Sequence, residues 1–300
     1  MILLAGGTGR LGSVLAARLT GRGLAVRVLT RDPARAAHLA AQGAEVATGD
    51  VRDCASLAPA VRGADVVVSA IQGLTGPRGV TPATIDYQGN INLIDAARAA
   101  GAQFVLMSVA GAAADSPMEL FRMKHAAEEH LRESGDDWTI VRATAFLELW
   151  IDVLTSTAAR SGRPVVFGRG GNPINFVSVI DVAALVEHAV TDPATRGRIL
   201  EIGGPGNLTF NQLAAAIQAA AGRTGTPRHV PRLALRFMAG TVGRIKPELG
   251  RQARAALLMD GIDLAHDTVG IRQACPGLPC TPLSTCLQSK HGTPTMSRPA

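Results

Sequence analysis

The loop of residues 6–12 has the residue types and the spacing that bind a pyrophosphate. Its glycines fit the pattern G-x-G-x-x-G and the overlapping pattern G-x-x-G-x-x-G, between a predicted strand and a predicted amphipathic helix. Such glycines permit a tight turn and a close approach of phosphates, and the helix offers free N–H groups and the positive end of its dipole. A purely structural glycine turn is the alternative. The context favours a dinucleotide site formed by Gly6, Gly7, Thr8, Gly9, Arg10, Leu11 and Gly12.

The residue after the second predicted strand bears on which dinucleotide binds. A carboxylate at that point binds the ribose 2′-hydroxyl of NAD(H), whereas an arginine meets the 2′-phosphate of NADP(H). Arg31 stands there, while Asp32 precedes Pro33 and is expected to cap a helix instead. Arg10 would add a second positive charge near the same phosphate. We therefore expect NADP(H) as the preferred cofactor, with NAD(H) and a merely solvated Arg31 as the alternatives.

Lys124 is predicted to lie on the buried side of a helix. At 3.6 residues per turn it falls within the apolar stripe formed by Leu120, Met123, Ala127 and Leu131. Burying a lysine is costly unless the ammonium is paired or used. We expect Lys124 to contact the cofactor ribose or to act as an acid or base. The alternative is a side chain whose ammonium reaches solvent past its apolar stem.

Ser108 and three apolar side chains are the other residues expected at the site. Ser108 ends the fifth predicted strand, on the carboxyl side of the sheet where ligands bind in open α/β folds. We expect its hydroxyl either to donate a hydrogen bond to a substrate carbonyl or to cap a turn. Phe146, Leu149 and Trp150 are expected either to line an apolar pocket or to pack in the core of a second lobe.

The elements that position these residues alternate between short strands and amphipathic helices over the first 140 residues. This alternation predicts right-handed crossovers and an α/β fold with a Rossmann-type, doubly wound parallel sheet. The predicted strands are 2–5, 25–29, a short strand at Val46, 65–69, 104–108 and 138–142. A capping box at 116–119 is expected to open the helix of Lys124, and Asp181 is expected to cap a later helix.

The chain is expected to divide into two domains and a tail. Residues 1–145 form the predicted dinucleotide-binding domain. Residues 146–284 form a smaller predicted mixed α/β lobe, in which strands and helices alternate less regularly. Short strands near Val165, Phe176 and Ile199 are assigned to that lobe. Residues 285–300 are largely polar and rich in glycine, proline, serine and threonine, so we expect a flexible tail.

Composition excludes several classes of function. Hydrophobic residues make up 47% of the chain and charged residues 18%, so the chain can fill a large core and is not disordered for most of its length. The net charge of +6 comes from scattered basic residues, and aromatic residues make up only 3%, so we expect no nucleic-acid partner. No apolar run approaches the ~20 residues that span a bilayer. The four cysteines show no metal-ligand spacing. We expect a cytoplasmic protein with no metal and no membrane partner.

Several segments together resemble the atypical short-chain dehydrogenase/reductases, and among them the NmrA-like, NAD(P)-binding branch. Besides the glycine loop and Arg31, they are 49–53 (GDVRD), 86–97 (DYQGNINLIDAA), 104–108 (FVLMS), 138–142 (WTIVR), 176–183 (FVSVIDVA) and 203–205 (GGP). The resemblance covers about residues 1–220 and implies a Rossmann fold with a bound dinucleotide. It also implies that Asp50 and Val51 lie near the adenine, and that Ala70 and Ile71 line the adenine-ribose side.

One departure from the wider family affects the expected chemistry. Those enzymes use a Tyr-x-x-x-Lys pair, but Leu120 stands four residues before Lys124, and the chain has a single tyrosine, Tyr87. We therefore weigh two functions. The first is an NAD(P)H-dependent oxidoreductase that reduces a small apolar carbonyl, quinone or conjugated double bond. The second is a non-catalytic NAD(P)-binding redox sensor or scaffold, which would act through a protein partner or as a homodimer.

Overall fold

Apolar, β-branched runs near the start of the chain form the strands of one parallel sheet. The computed structural model describes residues 1–76, 79–135, 137–159, 162–267 and 269–291. Every residue of the strand Val66–Ser69 is buried, as is every residue of Ile2–Ala5. Continuous burial of this kind is typical of parallel strands that helices cover on both faces.

Within the described residues, seven strands form the main sheet, and all neighbouring strands in it run parallel. In spatial order they are β10 (Arg198–Ile202), β6 (Trp138–Ala143), β5 (Gln103–Val109), β4 (Val66–Ser69), β1 (Ile2–Ala5), β2 (Val26–Thr30) and β3 (Glu45–Thr48). The chain order runs outward from β1 in one direction and from β4 in the other. A crevice therefore opens at the carboxyl ends between β1 and β4. The predicted Rossmann-type, doubly wound sheet is confirmed.

Helices cover both faces of this sheet. One face is covered by α1 (Arg10–Gly21) and α7 (Val179–Thr191), which contribute Leu15 and Leu185 to one buried cluster. The helices on the other face are α3 (Cys54–Val61), α4 (Gln88–Ala99) and α5 (Glu119–Glu133). The 3₁₀ turn Pro33–Ala36 and the short α2 (Ala37–Ala40) follow β2.

The remaining elements form a smaller mixed lobe with its own core, as predicted. Its helices are α6 (Leu147–Ala158), α8 (Phe210–Ala220), α9 (Arg232–Phe237), α10 (Gly243–Ile245), α11 (Pro247–Met259) and α13 (Leu283–His291). The helix α12 (Val269–Ala274) instead packs against β10 of the main sheet, with Ile271 against the cluster that contains Leu15 and Leu185. Its small sheets pair β11 (Asn207–Leu208) with β9 (Ile174–Val177), β9 with β7 (Ala145–Phe146), and β12 (Arg228–Val230) with β8 (Val165–Phe167). Among the described residues, no helix has the length and apolar character needed to cross a membrane. The division into folding units at residue 145 stays a prediction.

The sequence assigned the strand near Ile199 to the second lobe, and this assignment is wrong. β10 pairs in parallel with β6 at the edge of the main sheet, with Ile199 beside Ile140. The helix α7, which precedes β10, packs against α1 on one face of the main sheet. The chain therefore leaves the second lobe through α7 and returns to the edge of the Rossmann sheet as β10. The spacing of elements along the sequence does not reveal this return.

Two predicted helix starts are wrong by a few residues. The capping box at 116–119 does not form, because α5 begins at Glu119 and the side-chain oxygen of Ser116 accepts a hydrogen bond from the N–H of Met118 instead (3.3 Å). Asp181 is not a cap either. The side chain of Ser178 caps α7 by accepting from the N–H of Ile180.

The predicted tail is partly wrong. Residues 283–291 form α13, and Cys286 and Leu287 are buried in the core of the second lobe. α13 packs against α6 and α8, which supply the apolar contacts that a polar, isolated segment lacks. Residues 292–300 lie outside the described residues.

The buried carboxylate of Asp181 fastens the last part of the chain to α7. It accepts hydrogen bonds from the backbone N–H and the hydroxyl of Thr281, which is 100 residues away, and from Nη2 of Arg272. Arg272 also donates to the carbonyl oxygen of Gly203. The carboxylate is wholly buried, so its loss would leave buried donors without partners.

We predict that Asp181→Ala lowers the free energy of unfolding by about 3 kcal/mol, because it leaves the Arg272 charge uncompensated. Urea unfolding measures the loss, and limited proteolysis should show faster cleavage within residues 269–291. Asp192→Ala is the matched control, since Asp192 caps a surface turn and pairs with His188 at the surface (3.6 Å), and we expect a loss of about 1 kcal/mol. Equal losses for the two variants would contradict this anchoring role.

Candidate functional site

A long cleft of about 1460 Å³ lies along the carboxyl ends of the main sheet. One side is formed by the glycine loop and the ends of β1, β2, β4 and β5, and the other by α6, α9 and α11 of the second lobe. All predicted site residues except Gly7 line this cleft. They are Gly6, Thr8, Gly9, Arg10, Leu11, Gly12, Arg31, Asp50, Val51, Ala70, Ile71, Ser108 and Lys124.

The glycines of the loop have different structural tasks. Gly6 has a φ of +84°, and a Cβ there would lie 2.5 Å from the carbonyl oxygen of Ala70. A Cβ at Gly12 would collide with the carbonyl oxygen of Gly6, and one at Gly7 would lie 2.6 Å from Cγ1 of Val28. Gly9 is less sterically constrained, because a Cβ there would meet only the Gly6 carbonyl oxygen, at 3.1 Å. Three glycines thus let the loop pack tightly, and Gly9 leaves room on the cleft side.

The N-terminus of α1 has the features of a phosphate site. Gly9 is its N-cap, and among the described residues no side chain caps it and its first turn has no acidic residue. Its first residues line the cleft, so its N–H groups and positive dipole end are available to an anion. These residues fit the pyrophosphate of a dinucleotide. Arg10 forms an ion pair with Asp152 of α6 (2.6 Å), which links the two sides of the cleft.

Basic residues surround the end of the cleft beyond β2 and β3. Arg31 and Arg35 are exposed and line it. The carboxylate of Asp32 accepts a hydrogen bond from the N–H of Ala34 (3.1 Å), so the predicted N-cap role of Asp32 is confirmed. Arg35 was missed in the sequence, although it stands four residues after Arg31 in the turn that Asp32 caps.

Asp50 lies in the same part of the cleft, with its carboxylate paired. Arg52 donates from Nη2 and Nε to the two carboxylate oxygens, at 2.6 and 3.0 Å. The hydrogen bonds from this guanidinium hold the pKa of Asp50 below its usual value. Asp50 therefore stays ionised at neutral pH, and it can accept a hydrogen bond but not donate one.

Lys124 is almost completely buried, with 3% of its surface exposed. Its ammonium donates to the carbonyl oxygen of Ile71 (3.1 Å) and lies 3.2 Å from Oδ1 of Asp86. The idea that its ammonium reaches solvent is therefore wrong. The lysine of α5 meets the segment after β4 in the middle of the cleft.

Asp86 is the partner that sequence reasoning missed. It lies in a π-helical turn, Pro82–Tyr87, and is wholly buried. Its Oδ2 accepts a hydrogen bond from the N–H of Gly73 (2.8 Å). Burial raises the pKa of Asp86, and the nearby Lys124 ammonium opposes that rise. No local pattern links Asp86 to Lys124, because they belong to different elements that only packing brings together.

Ser108 lies beside Lys124 along the cleft, but its hydroxyl points to another buried group. It donates to Oε1 of Glu128 on α5. Arg142 donates to both oxygens of Glu128, at 3.0 and 2.6 Å, and to Glu201 at 3.0 Å. Donation from Ser108 to a substrate would require the bond to Glu128 to break, so this role stays a prediction.

The half of the cleft next to the second lobe is apolar. Phe146, Leu149 and Trp150 line it, and Trp150 also packs edge-on against Phe210 of the lobe core, with ring centroids 4.7 Å apart. Trp150 therefore both lines the apolar pocket and packs in the core of the second lobe, the two roles that the sequence left open. Other apolar side chains along this half include Met118, Phe121, Leu235, Met238 and Leu249. In the described part of the chain, the titratable side chains that line it are those of Lys124, Asp263 and His266.

Comparisons with known proteins agree with the fold. A NAD(P)H azoreductase from Xenophilus azovorans is 33% identical over 225 residues, which cover 74% of each chain. The photosystem II assembly factor Ycf39 from Cyanophora paradoxa is 28% identical over 232 residues, 77% of this chain and 71% of that protein. The crystal structure of an Escherichia coli NADPH-dependent quinone oxidoreductase complexed with NADPH shares the fold. Its TM-score is 0.78 at 24% identity, over 97% of this chain and 100% of that chain.

The family itself is defined by a match that spans the main sheet and part of the second lobe. Residues 1–245 match the NmrA-like family. This range includes the glycine loop, Asp86, Lys124 and part of the apolar half of the cleft. Because the match covers most of the chain, the protein belongs to the NmrA-like family.

Proposed function

We propose that this protein is an NAD(P)H-dependent reductase of a small apolar acceptor that contains a carbonyl, a quinone or a conjugated double bond. The observation that carries the proposal is the composition of one continuous cleft. It joins a bare helix N-terminus to an apolar chamber, and a buried lysine lies between them. The names of an azoreductase and of a quinone oxidoreductase among its relatives support a reductase.

The residues at the polar end would hold the dinucleotide. The N–H groups at the start of α1 would bind the pyrophosphate, and Arg31 and Arg35 would bind the 2′-phosphate of NADP(H). Val51 and Ile71 would line the adenosine. We prefer NADP(H) over NAD(H) because both arginines are exposed and neither takes part in an ion pair among the described residues. Bound there, the nicotinamide would supply hydride to the acceptor.

Lys124 would be the group that holds or moves a proton. Its Nζ would donate to the ribose or release a proton to the reduced acceptor, while Asp86 and the Ile71 carbonyl keep the ammonium in place. Water or the acceptor's own surroundings are the other proton sources. The aromatic and aliphatic walls would exclude bulk water and favour an apolar acceptor.

A dinucleotide-binding sensor or scaffold is the second candidate function. Two observations favour it. Tyr87 is not among the described residues that line the cleft, and the hydroxyl of Ser108 is already bound to Glu128. A photosystem II assembly factor is among the relatives, so similar chains include a protein named for assembly.

Calorimetry with NADPH, NADP⁺, NADH and NAD⁺, followed by turnover assays with quinones, azo dyes and enones, tests the proposal. We expect NADPH to bind most tightly and at least one acceptor class to be reduced. Binding without turnover of any acceptor would favour the sensor or scaffold. If none of the four dinucleotides binds, both functions are wrong.

We predict that Arg31→Asp weakens NADPH binding about tenfold or more, because it removes a cation from the 2′-phosphate and adds an anion. NADH has no such phosphate, so its affinity should change little. Arg98→Asp, at an exposed position on α4, is the control for the change in net charge. Equal losses for NADPH and NADH would show that Arg31 does not contact the 2′-phosphate.

We predict a pH-dependent loss of stability for Lys124→Met. Burial raises the pKa of Asp86, and removing the ammonium that opposes this raises the pKa further. A carboxyl group with a raised pKa in the folded state stabilises the fold at low pH, and that stability is lost as the pH rises through its folded pKa. Relative to the unmodified chain, Lys124→Met should lose about 3 kcal/mol near pH 8 and much less near pH 5.

Urea unfolding at the two pH values measures this difference, and the exposed Lys246→Met is the matched control. A pH-independent loss would mean that the pKa of Asp86 does not depend on Lys124. At the lower pH, where the fold is kept, Lys124→Met should also weaken NADPH binding or slow turnover. Unchanged values for both would remove Lys124 from the site.

A further inference from the structure

A continuous helical segment over residues 232–245 lies at the outside of the second lobe. It consists of α9, a π-helical turn over Met238–Val242, and α10. We call this segment the outer helix. Its inward side supplies Leu235, which is buried, and Met238, and both line the cleft.

The outward side of the outer helix is also apolar. Leu233, Phe237 and Ile245 are 74%, 64% and 83% exposed, whereas the other exposed large hydrophobic residues among those described reach only 37–42%. Leu233 and Phe237 are four residues apart and therefore lie on the same side of the segment, and Ile245 at its end is the most exposed of the three. A helix that is apolar on both sides is normally covered on both, and a concentrated exposed apolar patch marks a binding surface.

The charge around the outer helix is strongly positive. Residues 222–260 contain eight lysines and arginines and two acidic residues, Glu248 and Asp260, a net charge of +6. Asp260 is buried and lies 3.4 Å from Arg232 of the outer helix. The whole chain also carries +6, so the charges of the remaining residues cancel. Arg236, Arg244 and Lys246 are exposed beside the apolar patch, and none takes part in an ion pair among the described residues.

We propose that the outer helix binds the surface of an anionic lipid bilayer. Leu233, Phe237 and Ile245 would enter the boundary between headgroups and acyl chains. Arg236 and Lys246 would meet the headgroup phosphates. Apolar side chains flanked by cations on one side of a helix are typical of segments that lie in a membrane interface without crossing it. This proposal departs from the expectation of no membrane partner, which rested on the absence of a spanning run.

The charge also argues against other occupants. A symmetric dimer through this patch would place two strongly positive surfaces against each other, which is unfavourable. Residues 292–300 contain no acidic side chain, so they offer no complementary charge. A single-stranded nucleic acid would stack its bases on aromatic side chains, and the patch contains one, Phe237. A duplex would bind the cations through its phosphates but would leave the exposed Leu233 and Ile245 without apolar contacts.

The position of the outer helix suggests a use for this binding. Its inward residues line the apolar half of the cleft, so docking would bring that half to the membrane surface. The benefit for an apolar acceptor dissolved in the bilayer rests on the proposed reductase function. The binding itself does not, and it can be measured without dinucleotide or acceptor.

Co-flotation of the full chain with vesicles tests the proposal. We expect the protein to float with vesicles of phosphatidylcholine mixed with phosphatidylglycerol, and to float far less with phosphatidylcholine alone. Added salt should weaken the binding, because it screens exposed charges. No flotation with the mixed vesicles, or equal flotation with both kinds, would overturn the proposal.

Two triple variants separate the apolar and the charged contributions. Leu233→Ser with Phe237→Ser and Ile245→Ser should weaken vesicle binding tenfold or more, since the buried apolar area is lost. Arg236→Gln with Arg244→Gln and Lys246→Gln should weaken it about a hundredfold. The matched control replaces three exposed arginines outside the segment with glutamine: Arg62, Arg98 and Arg198. An equal loss in this control would mean that net charge alone drives the binding. Circular dichroism checks that each variant folds.

Two further outcomes would assign the surface to another occupant and overturn the lipid proposal. In lipid-free solution, light scattering could show a dimer that the apolar variant converts to a monomer. Alternatively, a random-sequence DNA duplex could bind more tightly than the mixed vesicles, with only the charge variant affected. Failure of vesicle binding leaves the reductase proposal intact, because dinucleotide binding and turnover are measured separately.

Discussion

The segment that follows β4 is the point on which the rest of the site depends. The carbonyl oxygen of Ala70 lies so close to Gly6 that no side chain fits between them. The carbonyl oxygen of Ile71 accepts from Lys124, and the N–H of Gly73 donates to Asp86. Four residues of backbone therefore join the glycine loop, α5 and the π-helical turn at the crevice of the sheet.

This arrangement explains how the fold tolerates buried charges at its centre. Burying Lys124 or Asp86 alone would be costly, but each compensates the other, and backbone groups satisfy part of their remaining hydrogen-bonding capacity. Glu128 and Arg142 form a second such pair behind Ser108. Ion pairs of this kind often add little net stability, so they are not explained by stability alone. Lys124 is the member of these pairs that opens onto the cleft, which is why the proposed proton transfer centres on it.

The second lobe contributes mainly apolar surface to the cleft. Its cleft-facing side chains are mainly aliphatic and aromatic, and they continue the apolar half of the cleft away from the lysine. The same lobe carries most of the chain's excess positive charge, concentrated around the outer helix. Acceptor selection and surface attachment would therefore arise from opposite sides of one helical segment.

The sequence by itself determined the features that depend on near neighbours in the chain. The glycine loop and the Asp32 cap follow from residue types at adjacent positions. The alternation of strands and helices and the burial of Lys124 follow from patterns with periods of two or 3.6 residues. Only the tertiary structure decided which groups meet: Asp86 with Lys124, Glu128 with Ser108, and Asp181 with Thr281. It also decided that β10 returns to the main sheet and that α13 packs into the second core. These outcomes depend on the docking of whole elements, since a contact between residues 100 positions apart leaves no periodic signal in the chain.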